Sequence, residues 1–309
     1  MVYILIKKGN LKKIAWGRGA RTDKGVHAIC NTINLKLAIN RNHLIFPDSP
    51  EEEKNNIQAN EKEEIEEKSE NKTEEQKEEE EFRYTKKDNK DKVDFSRLIS
   101  LMNSKMENIQ VICIKRVTHR FGVKNSATHR VYEYIAPLFL FQAKDSILTE
   151  EQTMERINAM CGKFKGTHNF HNYSQKIEPT DPSAKRYILD MKAEKFPFES
   201  EIPFIKFTIK GQSFIYHQIR KMIGSISQTI QTGLENSYIE NTFYNNKVKI
   251  WLAPSEGLML REIGFNNYNK KTDCPESLEF SEEEKVRMQK FTETKIFPSI
   301  LNSEQNEKL

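Results

Sequence analysis

The sequence predicts an α+β fold, a sheet covered by helices on one side. Three observations carry the prediction. Segments with a period of two outnumber those with a helical period. Helical segments are interspersed among them rather than alternating strictly with strands. One long stretch, Ile215, Ile219, Met222, Ile223, Ile226 and Ile230, lines a single helix face.

In chain order, the opening MVYILIKK reads as a short strand or a helix end broken by Gly9-Asn10. A run with strand alternation follows at Ile29–Leu37. It sets Ile29, Ile33, Leu35 and Leu37 against Cys30, Thr32, Asn34 and Lys36. Residues 47–94 read as a linker, because their Glu51–Glu81 core has almost no apolar side chains to offset ordering entropy. An extended solvated helix is the alternative for so Glu/Lys-rich a stretch. Phe95–Met106 then has helical spacing, and Gln110–Val117 and Arg130–Ala136 alternate as strands. Glu150–Cys161 is an amphipathic helix stopped by Gly162, with Met154, Ile157 and Met160 inward. Tyr187–Phe196 and Phe204–Lys210 are strands. Ser213 reads as the N-cap of the last long helix, which ends at Gly233.

Composition narrows the classes of function. The 309 residues carry a net charge of +4, but Glu51–Glu81 holds 15 Glu and 5 Lys, a local −10. The other 278 residues therefore stand at +14, a basic body suited to a polyanion. Cys30, Cys113, Cys161 and Cys274 are scattered, without the spacing of a zinc site or a disulfide framework. His168 and His171 lie three apart, with no further ligand close in sequence, so no metal is expected. The chain has no Gly-rich phosphate loop and no apolar stretch of the ~20 residues a membrane helix needs, and no cofactor or membrane contact is expected.

The segment ARTDKGVHA (Ala20–Ala28) places one carboxylate, Asp23, between Arg21 and a Lys24-Gly25 pair, directly before the alternating run. A tight loop of this kind can aim a carboxylate rigidly into a cleft; by shape alone it is equally an ordinary Asp-Lys-Gly turn. The wording decides. ARTDKGVHA resembles the active-site loop of the TruA family of tRNA pseudouridine synthases, with Asp23 at the place of the nucleophilic aspartate. SATHRVYEYIAP (Ser126–Pro137), FKGTHNFHNYSQ (Phe164–Gln175), IKGQSFIYHQIRKMIG (Ile209–Gly224) and APSEGLMLREIGF (Ala253–Phe265) resemble further motifs of that family, in its order. GTHNFHNY, with Asn169 where the bacterial enzyme has Asp, and the tail FTETKIFPSILNSE (Phe291–Glu304) resemble the eukaryotic multisite branch rather than the paralogue acting at the anticodon stem-loop.

The resemblance implies a pseudouridine synthase fold: a mixed, mostly antiparallel sheet with helices, in two ferredoxin-like subdomains around an RNA cleft. It implies isomerisation of uridine to pseudouridine in tRNA, and in other RNAs, without a cofactor. Breaking the C1′–N1 bond and rejoining uracil through C5 needs an ionised carboxylate, either to attack sugar or base or to take a sugar proton. Asp23 is that group by resemblance. Arg220 is its paired cation, and Tyr132 stacks on the uracil and is a candidate acceptor of the C5 proton. Arg21 helps flip the nucleotide, with a phosphate contact as the competing role. Arg130 flanks the base, and His168, Asn169 and His171 line the RNA cleft. Phe170 is a core anchor.

The resulting organisation is 1–46 as the start of the catalytic domain with the Asp23 loop, 47–94 as the acidic insertion, 95–268 as the rest of the catalytic domain, and 269–309 as a helical extension. Relatives begin with an additional strand and most of a helix that nothing here matches, so the start reads as truncated. The alternative function that follows is a catalytically weak or inactive RNA-binding protein with an exposed sheet edge. The resemblance further implies a monomer in the nucleus, with the mitochondrion as the second compartment.

Overall fold

Residues 16–36, 95–144, 147–175, 177–197, 202–235 and 237–301 are described by the computed structural model. The expected acidic insertion, the opening fifteen residues and Leu37 lie outside them. The described residues fall into two units. One holds Trp16, 34–36 and 95–114; the other holds Gly17–Ile33 and everything from Lys115 onward.

In the first unit the expected helix forms as α1, Ser96–Asn103. Beyond it, the Asn103 side chain holds both backbone groups of Val111, accepting from its N–H at 2.7 Å and donating to its C=O at 3.0 Å. Residues 110–117, expected as a strand, are not among the strands of the described residues.

The second unit is built on a six-stranded sheet. Chain order gives β1 (Gly17–Arg18), β2 (His27–Ala28), β3 (Ile33–Asn34), β4 (His129–Pro137), β5 (Gly166–Asn169), β6 (Lys185–Phe196), β7 (Phe204–Gly211) and β8 (Leu258–Gly264). The sheet order is β2-β8-β4-β7-β6-β5, and β1 pairs with β3 in a separate two-stranded ladder. Only the β2–β8 pairing in the six-stranded sheet is parallel; the rest are antiparallel, so the α+β expectation holds. The alternating run at Ile29–Leu37 is broken. Within it, among the described residues, only Ile33–Asn34 is strand, and Cys30, not Ile29, is the buried residue.

Three helices matter most in this unit: α2 (Glu150–Gly162), α3 (Gln218–Gln231) and α4 (Glu282–Phe291); a π turn at Thr292–Ile296 leads on to α5 (Phe297–Leu301). Helix α2 starts with a full capping box, Thr149 with Gln152. Ile157 and Met160 are wholly buried, with Met154 packed at the margin. β7 alternates as its pattern demands: Ile205, Phe207 and Ile209 face the main core with α2 and α3, while Lys206, Thr208 and Lys210 face away. The helices do not keep to one side. Ile135, Phe204 and Met259, each one residue out of phase with the main core, pack with Ile296 and Ile300 on the opposite face. The apolar turn that follows α4 therefore covers part of the second face.

The start of α3 also differs from expectation. Ser213 is no cap; the helix begins four residues later, with His217 at the N-cap in a left-handed conformation, φ 66°. Tertiary packing overrides the local cap signal here. Phe214 lies against Gly211 and edge-on to Tyr132, ring centroids 5.2 Å apart, which holds 213–216 out of the helix. The Gln218 side chain instead accepts the Ile215 N–H at 2.9 Å, tying the preceding turn to the first residue of the helix. The far end behaves as read: Gly233 follows Thr232 with φ 66°, and its N–H and that of Leu234 close back onto Ile230 and Thr229.

Candidate active site

Asp23 sits on the loop between β1 and β2. Its backbone C=O accepts from Val26 at 3.2 Å, closing a turn through Gly25, whose φ of +85° suits glycine. A Cβ at Gly25 would also meet the Ser255 hydroxyl at 2.7 Å. The loop is tied at its base, where Gly19 donates to Thr32 C=O at 2.8 Å. On its far side β2 runs parallel to β8, with His27 opposite Met259, and Ile29 donates to Leu260 at 2.8 Å. Burial lowers the His27 pKa, with Glu256 acting in opposition.

The group nearest the Asp23 carboxylate is one the sequence reading did not select. His217 Nε2 lies 3.6 Å from Asp23 Oδ2. Its side chain is only 8% exposed and stacks on the exposed Tyr216 ring at 3.7 Å. Burial, with Arg220 beside it, lowers the His217 pKa, while Asp23 acts in the other direction.

Arg220, three residues on, is half-buried at the edge of the helix. Its Nε donates to Ala253 C=O at 2.6 Å, and its own C=O accepts from Ala253 N–H at 3.2 Å, so the residue is pinned from both sides. The Arg220–Asp23 pairing implied by the resemblance is not made: among the described residues no ion pair joins the two, and His217 stands in that place. Lys221 is not a free surface cation either. It donates to the carbonyls of Asn172 and Ser174 at 2.8 and 3.2 Å, and burial lowers its pKa.

Tyr132, on β4, comes to this cluster as expected. The β4–β8 register shifts there, Val131 opposing Glu262 and Tyr132 opposing Leu260, so Arg261 is bulged out. Burial pushes the Tyr132 phenol up to about 12; Arg130 acts in the opposite direction and Asp23 adds to the rise. Burial raises the Tyr134 pKa as well.

The other expected site residues divide. Arg21 is exposed beside the loop, as a nucleic-acid contact requires. Arg130 is engaged within the protein instead: Nε and Nη2 donate to Gly19 C=O at 3.3 and 3.0 Å, Nη1 to Gln212 C=O at 3.0 Å, and Nη2 also to Lys124 C=O at 3.3 Å. A guanidinium with three backbone acceptors is a clamp on the Asp23 loop. Arg130→Lys is expected to lower stability by about 1–3 kcal/mol, since an ammonium cannot span those acceptors. RNA affinity should stay near wild type, because the charge is kept; thermal melting and a filter-binding titration check the two halves.

The GTHNFHNY residues divide as well. His168, partly exposed, donates from Nε2 to Lys165 C=O at 2.8 Å and stacks on Phe243 at 4.3 Å. Asn169 donates to Pro179 C=O at 2.7 Å, while its oxygen faces His171 Nδ1 at 3.1 Å and accepts the His171 N–H at 3.2 Å. His171 is 3% exposed and Phe170 fully buried. Phe170 and His171 hold this turn in the core, while His168 and Asn169 stay partly exposed; Phe170 is the anchor expected.

Residues 160–266, from the end of α2 through β8, match a family model described as tRNA pseudouridine synthase. That segment is a domain of the tRNA pseudouridine synthase family. The chain is 36% identical over 222 residues to the human Pseudouridylate synthase 1 homolog, covering 68% of this chain and 52% of that protein. The mouse protein of the same name is 35% identical over the same length and coverage. The tRNA pseudouridine synthase 1 of Saccharomyces cerevisiae is 32% identical over 123 residues, 39% of this chain and 22% of that one. The chain thus spans about half the length of the mammalian relatives it matches. Among the described residues no group of three or more His, Cys, Asp or Glu could hold a metal ion, and no helix is long and apolar enough to cross a membrane.

Proposed function

We propose that this chain isomerises uridine to pseudouridine in tRNA, with Asp23 as the reacting carboxylate. The observation that supports this best is the convergence of three elements on Asp23. The β1–β2 loop carries the carboxylate, the start of α3 brings His217 to 3.6 Å, and β4 sets Tyr132 close enough for Asp23 to act on its phenol. Arg220 is close enough for its charge to oppose protonation of His217. Tyr132 serves by its ring. Its face toward a uracil is bounded by Phe214, whose loop must yield for a base to stack there. Arg21 is the exposed cation placed to fill the stack or meet a phosphate.

The reaction conserves every atom. The C1′–N1 bond breaks, a C1′–C5 bond forms, C5 gives up its proton and N1 gains one. A single ionised carboxylate on a rigid loop suits it, either as nucleophile or as base toward the sugar. The direct test is incubation of the purified protein with an unmodified tRNA transcript, with pseudouridine mapped by chemical labelling and primer extension. Conversion at several positions is expected. Conversion confined to sites flanking the anticodon loop would refute the multisite reading, and none would refute the activity.

A further inference from the structure

His217 has three features that packing alone does not require. It is the one residue other than glycine at positive φ among the described residues, and the helix it caps gains no side-chain cap from it. A histidine in the left-handed region is strained unless its surroundings fix it there. Its side chain is buried, yet Nδ1 has no hydrogen-bond partner among the described residues. Its other nitrogen points at Asp23, whose ionised carboxylate can only accept. A proton on Nε2 therefore interacts with the carboxylate, whereas a proton on Nδ1 would be buried without an acceptor. The geometry selects the neutral Nε2–H tautomer. At 3.6 Å the contact is just beyond a hydrogen bond, as is common in a site without its substrate.

We propose that His217 is a positioning residue for Asp23, a neutral imidazole that holds the carboxylate by donating from Nε2 without neutralising its charge. The left-handed backbone aims the ring, and the stack on Tyr216 fixes its plane. The charged and titratable groups facing the imidazole are Asp23 from the β1–β2 loop, Arg220 and Lys221 from α3, and the stacked Tyr216. Arg220 and Lys221 oppose protonation and Asp23 favours it, with burial the largest influence. The ring is thus neutral at neutral pH. Protonation on the acid side turns the donor into a cation that pairs with Asp23 and withdraws its charge from the reaction.

The proposal rests on the isomerase reading only for its kinetic readout, and one arm of the test is independent of activity. In the full chain labelled with 15N-histidine, His217 is expected as the Nε2–H tautomer at pH 7, titrating below a free imidazole. Asp23→Asn should lower its pKa further, since the carboxylate favours the protonated ring. A Nδ1–H tautomer, or a titration that Asp23→Asn leaves unmoved, overturns the proposal even if tRNA is not the substrate. In the kinetic arm, His217→Gly relieves the backbone while removing the ring, and His217→Asn keeps a residue tolerant of the left-handed region. Both should lower kcat by about 10- to 100-fold with little change in KM for tRNA. Both should also lose the part of the acid limb of the kcat profile that reports imidazole protonation. Wild-type kcat with an unchanged acid limb in His217→Gly would show that only the backbone shape matters and would overturn the positioning role. Failed conversion by wild type alongside the expected 15N result would reject the isomerase reading and leave the His217–Asp23 contact standing.

Discussion

Asp23→Asn and Asp23→Ala are expected to lose uridine conversion to background, a fall of at least about 10²–10⁴-fold, while still binding tRNA. The asparagine is the sharper test, because it keeps the size of the side chain and one acceptor oxygen while removing the charge and basicity. Among the described residues no neighbouring carboxylate is set to take over. Glu256 is the other carboxylate whose charge reaches this region, but it accepts from Ser255 at 3.0 Å and acts on His27 and Tyr134 rather than on Tyr132 or His217. Removing a negative charge from a basic surface leaves RNA affinity unchanged or slightly tighter, with the gain fading as salt rises. Fluorescence anisotropy with labelled tRNA separates the binding half from the catalytic half. Persistent conversion by Asp23→Ala would remove Asp23 from the chemistry; weakened binding by Asp23→Asn would instead indicate that the loop collapses without its charge.

The contrast between what the sequence disclosed and what it hid has a physical pattern. Strands β4, β6 and β7 were legible because each buries an alternate set of side chains in the main core, and burial is what hydrophobic alternation reports. Helix α2 was legible through its apolar spacing and Gly162. The Asp23 loop was legible through its wording. What remained hidden depends on contacts between residues distant in sequence. Arg130 looked like an RNA contact because a strand arginine beside tyrosines fits one. Its role as a clamp depends on Gly19, Lys124 and Gln212 carbonyls meeting in space. GTHNFHNY looked like cleft lining, but its acceptors and donors lie at Lys165, Pro179 and Asn246. Ser213 carried a legitimate cap signal that Phe214 packing overruled.

His217 left one trace in the sequence that could have been read. It is a histidine immediately before a helix of apolar periodicity, where Ser, Thr, Asp or Asn would be preferred, and three residues before the arginine the resemblance had already marked. A poor cap beside a candidate site residue is a local cost with no local return, and such sites are where functional constraints are expected.

The second large effect is expected far from any reacting atom, at Gly224→Ala. A glycine inside a helix ordinarily costs about 1 kcal/mol relative to alanine, so the change would stabilise an open helix. Gly224 is not open. A Cβ there would lie 2.2 Å from the Trp251 carbonyl oxygen and 2.7 Å from its carbon, with Ala253 N at 3.3 Å. These are backbone atoms, and they cannot rotate away as a side chain would. The 249–253 segment is fastened along α3 by Trp251 N–H to Gln228 at 3.1 Å and by the reciprocal Ala253–Arg220 pair. To restore an ordinary carbon–oxygen contact the segment and helix must part by about 1 Å. Overpacking of this kind costs about 1–3 kcal/mol or more, which cancels the propensity gain and exceeds it. A melting temperature lower by several degrees, about 2–4 °C for each kcal/mol lost, is the expected result. Catalysis should suffer beyond stability, because the displaced bonds fix Arg220 and the same helix opens with His217. At a temperature where the variant is fully folded, kcat should fall by about tenfold or more while tRNA affinity holds, since a shift of this size at the start of α3 moves the imidazole relative to Asp23. A melting temperature above wild type would show that residues 251–253 yield freely. A folded variant with wild-type kcat would show that the seating of α3 on that segment does not set the geometry at Asp23.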